Sequence, residues 1–416
     1  MAQAAEGAQS VRLESVEIGG VSVPLIFESS QVLPVGSVQL AFVGGAADAK
    51  KPGLASMSAK ILNEGTQKDG NVGFAKKLES KAISLSATSG VQGLSIELSY
   101  LKEYQNDAFT LLDELLSDPN VSQKSLDKLK ALTLSKIASY EDDFDDVAER
   151  GLNALLFKGT PMEYPLIGTA QSVESITLED VKDFLAHNLA LNRLIIIAGG
   201  DMSLEVLKSK LQILSRLPKG EKKPRLHFDV SSTPQTTHIK KPTKQAFIYF
   251  GAPFDVKDSK QNYMARVASF ILGSSGFGSR MMEEVRVKRG LAYSAYMRLN
   301  VGGAADYASG YLQTKLESKD EAIAVVKQVV GEFVKNGASE AELQAAKAFL
   351  LGSEPLRDET LSARLASRFS NYFRDLPLDY NKRELEQIQH LSLEELNAYI
   401  KAHTEILNLS FSVVED

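Results

Sequence analysis

The sequence predicts an α+β protein made of two tandem homologous domains of about 210 residues, each a mainly antiparallel sheet with helices packed on one side. Three observations lead there. A chain of 416 residues exceeds what one ordinary hydrophobic core organises, so at least two domains are expected. The order of strand-like and helix-like segments in the first half starts again in the second. Equivalent features also recur at nearly constant distance: Ala108 and Ala322, Lys130 and Lys347, and Thr177 and Ser392 lie 214, 217 and 215 residues apart.

Residues 11–43 alternate like strands, VRLESVEI, VSVPLIFES and then SVQLAFVGG, with Gly19-Gly20 as a hairpin turn. Pro52-Gly53 opens a helix through about Asn63, and a second helix covers roughly 72–81. AISLSATS and GLSIELSYL follow as strands. Ala108, Leu111, Leu112, Leu115 and Leu116 mark one apolar face of a helix that stops at Asp118-Pro119. Two more helices are expected over 122–140 and 144–157. Thr177-x-x-Asp180 is a near capping box, RLIIIAGG a buried strand and SLEVLKSKLQIL the last helix of the half. Residues 216–244 carry four prolines, many charges and little periodicity, the composition of an interdomain linker. The first domain is therefore assigned to 1–215 and the second to 245–416.

Beyond the linker, AFIYFGAP parallels VQLAFVGG, and NYMARVASFILGSS parallels the helix after Pro52. YASGYLQTKL parallels GLSIELSYL, and the face of Ala322, Val326, Val329, Val330 and Phe333 parallels that of Ala108 to Leu116. Ser392-x-x-Glu395 is a capping box placed like Thr177-x-x-Asp180, and LNLSFSVV closes the second half as RLIIIAGG closes the first.

Composition excludes several classes of function. A net charge of −6 with scattered lysines and arginines offers no nucleic-acid footprint. Without cysteine there is no disulfide, thiolate nucleophile or Cys-based metal site. No run approaches the roughly eighteen apolar residues of a membrane span. The start, MAQAAEGAQ, has no apolar signal region. The compartment stays open: periplasmic if an export signal has been trimmed, cytoplasmic otherwise.

One stretch, GSSGFGSRMMEEVRVKRGLAYSAY from Gly273 to Tyr296, joins a glycine loop, a short charged helix and a tyrosine-bearing strand. Gly273, Gly276 and Gly278 free the loop for positive φ or close backbone approach. The helix starts near Ser279, Lys288 and Arg289 fall in its last turn, and Gly290 is the expected C-cap. Arg286 near the helix end and Tyr293 early in the strand can converge beyond that turn. A guanidinium fork and a phenol are donors suited to a peptide carbonyl and to the oxyanion it becomes. The competing arrangement pairs Arg286 with Glu283 on a wet helix face and sinks Tyr293 into the core.

These residues carry a family resemblance. RMMEEVRVKRGLAYSAY resembles the Leu-x-x-x-x-Arg-x-x-x-Gly-Leu-x-Tyr motif of the pitrilysin, insulin-degrading and mitochondrial processing peptidase type of zinc peptidase. YPLIGTAQSVESITLEDV is similar to that family's Pro-x-x-Gly-Thr stretch, and the duplicated halves are its architecture. The match covers nearly the whole chain and is best with the shorter, two-domain bacterial and mitochondrial members.

The resemblance implies a zinc site that this sequence has lost. Active members carry His-x-x-Glu-His in a helix after Gly-Leu-Ala, with a glutamate ligand farther on. Here GLASMSAKILNEGT puts Ser56 and Lys60 at the two histidines, Ala59 at the water-activating glutamate and Lys136 at the distal ligand. Two protonated lysines repel Zn²⁺. No two of His187, His227, His238, His390 and His403 have the i,i+3 or i,i+4 spacing of helical ligands, and the acidic run from Glu141 to Asp146 lacks the spaced pattern of a calcium loop.

Arg286 and Tyr293, by contrast, match the residues with which the family's second domain holds the substrate peptide at the zinc site. The glycine loop resembles both the substrate-handling segment of the non-catalytic mitochondrial subunit and the plain turn of catalytic bacterial members. The resemblance therefore implies a zinc-free subunit, with no cofactor of its own, that binds peptide and completes the site of a zinc-bearing paralogue in a heterodimer or larger assembly. A non-proteolytic structural or peptide-holding module is the rival reading. An independent hydrolase using Ser56 and Lys60 lacks a third partner and any G-x-S-x-G elbow.

Overall fold

Gly19 and Gly20 both take positive φ and close the hairpin between β1 (Arg12–Ile18) and β2 (Val21–Ser29), as their sequence predicts. The structure is a computed structural model that describes residues 11–416. The first half continues with β3 (Val35–Val43), α1 (Leu54–Leu62), α2 (Gly70–Glu79), β4 (Ser84–Ser89) and β5 (Gly93–Leu101). Then come α3 (Gln105–Ser117), α4 (Gln123–Tyr140), α5 (Phe144–Leu156), α6 (Ala170–Ser175), α7 (Leu178–Asn188), β6 (Leu194–Gly200) and α8 (Leu204–Lys210).

The second half runs β7 (Thr236–Lys240), β8 (Gln245–Pro253), α9 (Asn262–Ser269), α10 (Arg280–Met282), β9 (Ala292–Asn300) and β10 (Tyr307–Lys315). It closes with α11 (Lys319–Asn336), α12 (Glu340–Arg357), α13 (Leu361–Phe373), α14 (Tyr380–His390), α15 (Leu393–Ala402) and β11 (Ser410–Glu415). Full capping boxes start α7 at Thr177/Asp180 and α15 at Ser392/Glu395, so the same local chemistry opens the same helix in both halves.

The two sheets repeat one topology. The first has the order β1-β2-β6-β3-β5-β4, with β2 and β6 parallel and the other neighbours antiparallel. The second, β7-β11-β8-β10-β9, pairs β7 with β11 in parallel and the rest antiparallel. Strand β7 is thus the counterpart of β2. It lies inside 216–244, where proline and charge hid it from a reading based on periodicity.

The chain divides into two compact units that each collect separate segments. One comprises, of the described residues, 11–137, 165–226 and 356–378. Its main core lies between one face of the first sheet and α1, α3, α4 and α7, with Leu40, Ile96, Ile61, Leu112 and Leu126 at its centre. The opposite face, Ile26, Ala41, Ile195 and Ile197, is covered by Leu365 and Phe369 of α13. Within this layer Arg364 donates to the buried Glu28 carboxylate, Nη2 to Oε1 at 2.6 Å and Nε to Oε2 at 3.0 Å.

The other unit comprises 138–164, 227–355 and 379–416. Its main core sets Ile248, Phe250, Leu312 and Val413 of the second sheet against α9, α11 and α15. Here α5 covers the opposite face, with Ala148 against Val414 and Leu152 and Leu156 beside Tyr249 and Tyr307. Each sheet therefore has its helical layer on one side, as expected, plus a single helix on the other.

Candidate functional site

The local structure around Arg286 follows from its sequence. Ser279 accepts from the Met282 N–H and starts α10, while Met281, Met282 and Val285 are buried on one face. The chain then widens into a π-helical turn over Glu283–Val287, in which the Lys288 N–H reaches the Glu283 carbonyl at 3.0 Å. Such wide turns rotate the following side chains away from α-helical positions. Gly290, at φ +62, reverses the chain into β9.

Arg280 anchors the segment from behind. Its Nε and Nη2 grip the Glu342 carboxylate at 2.6 and 2.7 Å, and Nη2 also donates to the Gly337 carbonyl. Glu284 is committed to Lys288 at 2.6 Å and to Arg289, and those two cations hold its carboxyl below the ordinary range. Arg286 is left without an ion-pair partner among the described residues.

Tyr293 is aimed by an irregularity in the strand pairing. Leu312 pairs with Ala295 and Thr314 with Ala292, so Tyr293 and Ser294 both stand opposite Gln313. This bulge turns Tyr293 outward, where it is 84% exposed. The Arg286 Cζ lies 4.5 Å from the centroid of the Tyr293 ring and 4.7 Å from that of Phe277. Neither the guanidinium nor the phenol has a hydrogen-bond or ion-pair partner among the described residues. The convergence read from the sequence is present, and the competing arrangement, an Arg286–Glu283 pair over a core tyrosine, is not. Sequence reasoning missed Phe277, whose only signal was an aromatic residue between two glycines.

The glycines of the loop have separate reasons. A Cβ on Gly273 would come within 2.6 Å of the Met297 backbone, so β9 approaches this residue too closely for a side chain. Gly276 and Gly278 adopt φ +70 and +89 with open space around them.

The four positions of the degenerate zinc motif lie in the other unit, on α1 and α4. Ala59 is buried, Ser56 is partly buried, and Lys60 Nζ donates to the buried Thr133 hydroxyl at 3.0 Å. Burial, and then the charge of Lys136, hold the Lys60 amine below the usual lysine value. Serine, alanine and two lysines do not form a zinc donor set, and no group of three or more His, Asp or Glu among the described residues is placed to hold a metal ion. His238 and His403 instead face Glu415 and Glu405 at 2.9 and 2.6 Å. The acidic run is also committed: Asp143 caps α5, and Glu141 and Asp146 pair with Arg150.

Residues 26–170 match the family described as "Insulinase (Peptidase family M16)", and residues 175–350 match the "Peptidase M16 inactive domain". The "Non-peptidase homolog YmxG" of Helicobacter pylori is 44% identical over 414 residues, covering 99% of this chain and 96% of that one. A crystal structure of a peptidase M16 inactive domain from Pseudomonas fluorescens superposes with a TM-score of 0.88 at 25% identity, covering 97% of this chain and 98% of that one. A protease from Helicobacter pylori has the same fold, with a TM-score of 0.82 at 15% identity over 98% of this chain and all of its own.

Proposed function

Because the chain belongs to the insulinase peptidases, family M16, as a non-peptidase homologue, we propose that it is the zinc-free subunit of a heteromeric metallopeptidase. Its partner would be a paralogue bearing His-x-x-Glu-His and the zinc. This chain would contribute peptide binding and transition-state stabilisation through Arg286 and Tyr293.

The observation that carries the reading is a contrast within one chain. The positions that would hold and use zinc have become Ser56, Ala59, Lys60 and Lys136, while Arg286, partly exposed, stays stacked on an exposed Tyr293 and the donors of both are uncommitted among the described residues. An exposed tyrosine and an unpaired arginine contribute little to stability. Their N–H and O–H groups suit a peptide carbonyl, and suit better the oxyanion that forms when the carbonyl is attacked. A further support is that Helicobacter pylori has both a non-peptidase homologue of this length and a protease of this fold.

The test is to assay this chain, a zinc-bearing paralogue from the same genome and their mixture against unfolded peptides. The proposal expects activity to require the mixture. Proteolysis by this chain alone, or no gain on mixing, would refute it. If a complex forms but tolerates loss of Arg286 and Tyr293 without consequence, the chain is a structural module instead.

A further inference from the structure

We propose that Phe277 is a third member of the Arg286–Tyr293 site, a positioning residue that clamps the guanidinium against Tyr293 and so fixes the direction of its N–H fork. This rests on the reading of Arg286 and Tyr293 as the peptide-holding pair.

Phe277 is 68% exposed, so the ring is not a core residue and what it touches lies at the surface. It sits between Gly276 and Gly278, both at positive φ and both with open space where a side chain would be. That backbone carries the ring back over the π-helical turn, to 4.7 Å from the Arg286 Cζ. Tyr293, released outward by the bulge in β9, stands 4.5 Å from the same atom.

Two rings around one guanidinium have a specific chemical effect. A cation above an aromatic face is attracted by the ring's quadrupole, and arginine suits the contact because its flat, weakly hydrated group stacks. In the proposed clamp the two rings cover the faces of the guanidinium, which then offers a ligand chiefly its in-plane N–H edges. These edges match a planar oxygen acceptor, such as a peptide carbonyl or a terminal carboxylate. An arginine on an exposed helix end would otherwise sample many rotamers, and ordering it in advance lowers the entropy lost when peptide binds. The π-helical turn sets the Cα of Arg286, and Phe277 sets the end of its side chain.

The clamp can be tested without a partner subunit. Phenylglyoxal needs room to add across two guanidinium nitrogens, and its rate at Arg286 in the full-length chain can be followed by peptide mass spectrometry, with Arg289 as internal reference. Phe277→Ala is expected to speed modification of Arg286 by about threefold, and Phe277→Tyr to restore the parent rate. Arg286 reacting equally fast in the parent and Phe277→Ala chains would overturn the clamp, whatever the proteolytic assay shows. In a mixture with the zinc-bearing paralogue, Phe277→Ala is expected to raise KM by a similar factor, with Phe277→Tyr again restoring it. Faster modification without any change in KM would remove the functional part of the proposal. An inactive parent mixture would instead count against the heteromeric peptidase itself, leaving the reactivity result to stand on its own.

Discussion

The amine of Lys60 donates to the Thr133 hydroxyl at 3.0 Å, one helical turn from Lys136 on α4. A lysine half-buried near another lysine is disfavoured in its charged form, so its pKa is lower in the folded chain than in the unfolded one. Below the lowered value the folded state holds a proton at a cost that the unfolded state does not bear, and the cost fades as pH rises toward 10.5. Lys60→Met is therefore expected to raise the melting temperature at neutral pH, by an amount that shrinks in a thermal series carried into alkali. A gain independent of pH would assign the effect to packing.

The same positions can be turned back toward zinc. Combining Ser56→His, Ala59→Glu, Lys60→His and Lys136→Glu supplies the donor types of an inverted zinc motif on α1 and α4. Equilibrium dialysis followed by elemental analysis should find about one zinc per variant chain and none in the parent under the same free zinc. Retaining Lys60 or Lys136 should abolish uptake, since each places a positive charge among the ligands.

Arg286→Ala and Tyr293→Phe separate function from folding. Both side chains project from the core, so each change should leave the stability to urea within about 0.5 kcal/mol. In the mixed assay each should lower kcat by about a hundredfold, the usual consequence of losing one donor to a developing oxyanion. A loss of stability of several kcal/mol with kcat unchanged would make the pair structural.

Glu28 is almost fully buried, and Arg364 grips its carboxylate with two nitrogens. Arg364→Met leaves that carboxylate buried and uncompensated, so it should cost about 3 kcal/mol in chemical denaturation. Adding Glu28→Leu should recover most of the loss, because the surrounding layer of Ile26, Ile195, Ile197 and Leu365 is apolar. The double-mutant cycle measures the coupling.

The repeat was legible because it is written in local chemistry. Thr177/Asp180 and Ser392/Glu395 each predict a helix start from four residues, and apolar faces such as Ala108 to Leu116 have a clear period. What the sequence hid depends on long-range placement. Strand β7 has only alternate residues partly shielded and sits among prolines, so no apolar pattern announces it. The π-helical turn at Glu283–Val287 and the bulge opposite Gln313 are small departures in hydrogen bonding that no residue type encodes. Arg286 and Tyr293 could be named because the segment resembles a family motif, their spacing alone being equally compatible with a surface ion pair and a core tyrosine, but Phe277 gained meaning only once the loop had folded back over them.

Residues 138–164 complete the unit that holds the second sheet, and residues 356–378 complete the unit that holds the first. A gene cut near residue 226 would thus encode two fragments, each deprived of the helix that shields one side of its own sheet and each carrying an orphan helix meant for the other product. Bare rows such as Ile26, Ile195 and Ile197 would then invite self-association of the fragments. Reciprocal lending of this kind ties the duplicated halves to a single reading frame, however similar they are in design.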